Sequence, residues 1–192
     1  MNKLLQYIKN PFETSNDKNL TIIGIILFII GIILAYFFQI QLQILRVNPL
    51  VKLTITDIII GHLIIMLALT IVYFILGKII NRKTRLLDIL NTVLISLAPL
   101  YLIFFENING YMYEEIYQME EAIKSGGMLN IKTSIFSVII SVISISITIY
   151  FIYLLFIGFK TATNAKKIWH YVLFFAILFI TDLLCSGLIN SI

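Results

Sequence analysis

The chain is poor in charge, in proline and in cysteine. Only 12% of its 192 residues are charged, against 60% hydrophobic. A soluble domain of this size carries about twice that charge. So much apolar surface cannot be buried inside one small globule, so lipid must solvate most of it. The single cysteine, Cys185, excludes an intramolecular disulfide and any cysteine-based metal cluster. Also missing are a glycine-rich phosphate loop, a Ser/His/Asp order, a zinc-protease helix and a paired-carboxylate motif. No catalytic residue can therefore be named, and neither cofactor, metal nor nucleic acid is expected. No convincing inverted repeat is visible, which disfavours a secondary transporter.

What is present is a series of long apolar runs. A helix needs roughly twenty apolar residues to cross ~30 Å of hydrocarbon. Five stretches meet this, at about residues 20–39, 57–80, 86–105, 134–159 and 168–189. The reading is an all-α membrane protein, a bundle of five transmembrane helices over residues 20–192, preceded by a segment over 1–19. In that segment Leu4, Leu5 and Ile8 share a face flanked by Lys3 and Lys9, which predicts an interfacial helix ended by Pro11. The stretch after the first span, IQLQILRVNPLVKLT, is too polar and too short to cross, and Pro49 breaks it. It is expected to lie along the outer interface. Thr56 and Asp57 stand where the second helix should be capped.

The stretch from Gly77 to Phe105 organises the rest. It is a basic hinge, NRKTR, followed by an apolar helix with Pro99 deep inside it. A proline there removes one backbone hydrogen bond and bends the helix. The freed carbonyl needs a donor, and Ser96 is one candidate. Beyond it, YMYEEIYQMEEAIK reads as an amphipathic surface helix. Trp169, His170 and Tyr171 form an aromatic anchor at the entry to the fifth span.

The basic residues orient the bundle. Ten of the fourteen fall on one side (Lys3, Lys9, Lys18, Lys78, Arg82, Lys83, Arg85, Lys160, Lys166 and Lys167) and four on the other. This bias puts the N-terminus in the cytoplasm and the C-terminus outside. Lys78, Arg82, Lys83, Arg85, Lys160, Lys166 and Lys167 then form a basic cytoplasmic face, suited to lipid headgroups or to docking a cytosolic protein.

Three polar features interrupt the spans. Ser134, Ser137, Ser141, Ser144 and Thr148 recur every three or four residues down the fourth span, which predicts a helix-packing stripe. Asp182 lies inside the fifth span, where ionisable residues often mark function. Asp57 and His62 lie at compatible depth, so Asp57, His62 and Asp182 are a candidate cluster for a proton or cation. The alternative is an Asp182 bonded to neighbours such as Thr181 and Ser186. Asp88 follows Arg85 by three positions and can pair with it.

Four short pieces follow one another in a suggestive order. They are Pro11-Phe12 before the first span, GKIINRKTR after the second, Ala98-Pro99 in the third, and Gly158-Phe159-Lys160 closing the fourth. In this order the chain resembles the Yip domain family of multi-pass membrane proteins, the Ypt/Rab-interacting proteins and their bacterial relatives. The resemblance implies a five-helix domain with a cytoplasmic N-terminus and a non-enzymatic role. Eukaryotic members work in vesicle traffic with small GTPases, and the long cytoplasmic N-terminal regions common in them are missing here. The composition, rich in isoleucine, lysine and asparagine, looks bacterial. The expectation is thus a membrane interaction or scaffold protein of a bacterial cell membrane, able to form a homo-oligomer, with a membrane or cytosolic protein as partner. The alternatives are an accessory or protective subunit of an export system, and a small transporter or channel using Asp182.

Overall fold

The computed structural model describes residues 9–14, 16–49, 52–124 and 135–190. The expected interfacial helix at the extreme N-terminus and Ser134 lie outside them. A short α1 (Pro11–Thr14) precedes α2 (Asp17–Phe38). A hairpin of β1 (Ile40–Leu42) and β2 (Val47–Pro49) leads into α3 (Ile55–Ile80). Then come α4 (Leu86–Leu97), a tighter 3-10 segment (Ala98–Gly110), α5 (Tyr111–Lys124), α6 (Ile135–Thr163) and α7 (Ile168–Ile189). Five helical stretches, α2, α3, α4 with its continuation, α6 and α7, are long and apolar enough to cross a membrane. The chain is an all-α integral membrane protein.

Inside lipid, apolar burial gives little drive for helices to associate, so close packing and hydrogen bonds must hold them together. The fold follows this. The third span is the axis: α4 and the 3-10 segment pack against α2 and α6, and α4 also against α3. Of this span's apolar window 61% is buried, against 11% for that of α6, the least covered of the five spans. Glycines permit the closest approaches. Gly24 lies against Leu94, and Gly31 against the Tyr101 ring. Gly158 on α6 is seated on Thr92 of α4, and the Phe12 ring closes over it. Between α3, α6 and α7 the core is aromatic. Tyr73 stacks on Phe174 with centroids 4.8 Å apart and lies 5.4 Å from Phe159. Its hydroxyl donates to the Phe174 carbonyl at 3.2 Å, so this buried phenol is satisfied within the bundle.

Pro99 does break the α-helix, but by tightening it. The Ala98 N–H turns back to the Ile95 carbonyl, the group a proline at 99 would have orphaned. Ser96 does not supply that donor, since its hydroxyl bonds the Val93 carbonyl at 3.0 Å. The tighter coil then ends at Asn107–Asn109, where the backbone leaves helical geometry and Asn109 and Gly110 take positive φ. Asn107 fixes this corner. Its amide donates to the Phe38 carbonyl at 2.8 Å, and its oxygen accepts the Tyr113 N–H at 3.0 Å. The end of α2 and the start of α5 are therefore tied to one side chain.

The segment between the first two spans departs most from expectation. It is a β-hairpin closed by a bond from the Gln43 N–H to the Arg46 carbonyl at 2.9 Å, with Ile40 opposite Pro49 and Leu42 opposite Val47. Within the protein Ile40, Leu42 and Ile44 are fully buried, and Gln41 and Gln43 nearly so. Helix α3 also starts earlier than expected. Thr54 is its N-cap and Asp57 its third residue, joined in a reciprocal capping box.

Candidate functional site

The densest polar constellation lies where the hairpin meets the C-terminal half of α7. Asp182 and Ser186 are one turn apart on α7, and Ile189 and Asn190 follow on the next turn. Asp182 is buried, and its two oxygens accept from the hairpin: the Leu45 N–H at 3.2 Å and the Arg46 guanidinium at 3.4 Å. Arg46 also donates to the Ser186 hydroxyl at 3.2 Å, which in turn donates to the Gln43 side-chain oxygen Oε1 at 3.3 Å. The Gln43 amide donates to Asn190 at 3.0 Å, and the Gln41 amide to the Ile189 carbonyl at 3.4 Å. A charged group at this depth is tolerable only when paired and hydrogen-bonded. The hairpin supplies both.

The candidate cluster of Asp57, His62 and Asp182 is accordingly not assembled as a cation site. Asp57 spends its carboxylate on the Thr54 N–H at 3.1 Å. His62 is fully buried, with its Nδ1 2.9 Å from the Ile58 carbonyl and its ring among Phe28, Tyr101 and Phe104. Asp182 belongs to the hairpin. Among the described residues no group of three His, Cys, Asp or Glu could hold a metal ion. The alternative partner proposed for Asp182, Ser186, does belong to its network. Thr181 bonds its own helix at the Ile177 carbonyl instead.

The serine stripe is also used differently from a cross-helix seam. Ser141, Ser144 and Thr148 each donate to the carbonyl four residues back, at 2.8, 3.1 and 2.9 Å. Among the described members of the stripe, only Ser137 reaches another element, meeting Tyr111 and Glu115 of α5. Hydroxyls in lipid satisfy themselves on their own helix when no neighbour is close enough, and α6 has few neighbours here.

At the opposite end the two basic turns meet. The Asn81 amide donates to the Thr163 carbonyl at 3.3 Å, and Thr84 packs on Gly77. Lys78 caps the turn through the Arg82 carbonyl at 3.0 Å. Lys83, Lys160, Lys166 and Lys167 are exposed. Arg85 pairs with Asp88 at 2.6 Å as its spacing suggested, and also with Asp17 at 2.8 Å. Those hydrogen bonds, from Asp88 first, raise its proton affinity further. Just inside, Asn91 is buried. It accepts from the Thr21 hydroxyl at 2.8 Å and donates to the Asp17 carbonyl at 3.2 Å.

Sequence reasoning missed Gln41, Gln43, Arg46 and Asn190. A signal existed: Ile40-Gln41-Leu42-Gln43-Ile44 alternates with the period of a strand. Compared with protein-family models, with characterised proteins and with solved structures, the chain matches none.

Proposed function

We propose that this protein is a non-enzymatic membrane interaction protein of the Yip-like type, set in a bacterial cell membrane with its N-terminus in the cytoplasm. The observation that carries the reading is how the intramembrane polar groups are spent. Asp182, Asn107, Asn91 and Tyr73 each bond a neighbouring element. They fasten the bundle instead of lining a path for a solute. The three resemblance motifs nearest the basic end support it further: the Phe12 ring lies on Gly158, and Gly77 packs on Thr84 and Thr163. The excess of basic residues at that end supports the orientation.

The test is capture from native membranes. Tagged protein is crosslinked briefly, purified in mild detergent, and its companions are identified. A recurrent protein partner, whether exporter subunits or a cytosolic protein, is the expected result, and Asp182→Asn should still capture it. A chain that comes out alone and drives proton or ion flux in liposomes, lost in Asp182→Asn, would replace this reading with the transporter one.

A further inference from the structure

Two hollows lie side by side beneath the N-terminal segment. One is a polar cavity of about 200 Å³ at the basic end, where Asp17, Arg85, Asp88 and Asn91 face Phe12 and Thr161. The other is an apolar groove of about 690 Å³, open sideways between α2, the junction of α4 with the 3-10 segment, and α6. Its walls include Leu27, Pro99, Val142 and Ser146. Leu20 lines both hollows, and α1 bridges them, with Pro11 in the groove and Phe12 in the cavity. The groove volume lies in the range of ordinary ligand sites.

Depth and charge say what fits. From Asp17 to Leu27 α2 rises about 15 Å at 1.5 Å per residue, half of a hydrocarbon layer ~30 Å thick. The cavity therefore stands at headgroup level, and the groove runs from there to the bilayer midplane, the depth of one leaflet. The cavity offers one guanidinium and two carboxylates. The guanidinium suits a phosphate, and the two carboxylates suit a cation. Their combined charge is negative, which disfavours a purely anionic headgroup.

We infer that the cavity and the neighbouring groove, which share Leu20 as a wall, together hold one amine-headgroup phospholipid. Its ammonium lies beside Asp17 and Asp88, its phosphate beside Arg85, and one acyl chain fills the groove. This site is independent of the protein partner proposed above, and the two are read by different measurements.

The test is native mass spectrometry of purified protein given equal amounts of phosphatidylethanolamine and phosphatidylglycerol with palmitoyl-oleoyl chains. The expected result is one retained lipid per chain, with phosphatidylethanolamine preferred by about tenfold. Ser146 is exposed in the groove wall, so Ser146→Trp fills the groove without entering the core and should cut retention by about tenfold. Val142→Phe, at a second exposed wall position, should act in the same direction. Ile33→Trp, on a lipid-facing part of α2 that is 60% exposed and outside the groove, should change nothing. Asp17→Asn should keep the lipid but lose the preference. Equal retention of both lipids would overturn the inference. So would unchanged retention in both groove variants, or a second copy of the chain bound in place of lipid.

Discussion

Asp182 and Arg46 lie 3.4 Å apart across 136 positions of sequence, joining the fifth span to the hairpin after the first. The pair is unequal, because the Asp182 side chain is 9% exposed and that of Arg46 51%. A half-exposed ion pair contributes little, about 0–1 kcal/mol. The Leu45 N–H on the same carboxylate contributes more, because losing its acceptor leaves a donor stranded. Asp182→Ala is therefore expected to destabilise the fold by about 1–3 kcal/mol, and Arg46→Ala by less than about 1 kcal/mol. Asp182→Asn keeps an acceptor and should fall between them. Thermal unfolding in detergent gives the order. A loss for Arg46→Ala as large as that for Asp182→Ala would show that the ion pair, and not the backbone bond, secures the hairpin.

Asn107 should prove the most sensitive polar residue of the 3-10 segment. It serves both the Phe38 carbonyl and the Tyr113 N–H, and Asn107→Ala strands both. The expected cost is about 1–3 kcal/mol, with faster amide exchange at Tyr113 read by hydrogen–deuterium mass spectrometry. Unchanged exchange at Tyr113 would mean that α5 is held by other contacts.

The contact of Gly158 with α4 can be tested by a paired substitution. A Cβ at 158 would meet Thr92 Cγ2 at 2.5 Å and the Phe12 ring at 2.8 Å. Overpacking of this kind costs about 1–3 kcal/mol. Gly158→Ala should therefore lower the melting temperature, and Thr92→Ala in the same chain should restore part of the loss. Gly187→Ala, where a Cβ meets nothing within 4 Å, is the control and should leave melting unchanged. If Gly158→Ala melts like the control, the approach of α6 to α4 is looser than described.

The serine stripe makes the opposite prediction. Ser141 and Ser144 bond only their own helix, so alanine at either should shift stability by no more than about 0.5 kcal/mol. Ser137→Ala should cost more, because it loses Tyr111 and Glu115 together. A large effect at Ser141 would reveal a helix that packs against that face in the membrane.

The sequence by itself determined the number of crossings and their places. Apolar length and charge depletion are properties of a linear chain, and a helix must satisfy its own backbone wherever lipid surrounds it. The five spans, the surface helix at Tyr111–Lys124, the break at Pro99 and the Arg85–Asp88 pair were all legible for that reason. Only the tertiary structure decided which polar groups meet. Asp182 looked like one member of a proton or cation cluster because its partners, Leu45 and Arg46, lie in a segment whose strand-like alternation was outweighed by its polarity and its proline. Ser141, Ser144 and Thr148 looked like a seam because helical spacing says which residues share a face, but not what that face touches. Contacts between distant segments depend on how close two backbones come. That is set at Gly31, Gly158 and Asn107 by neighbours far away in the chain.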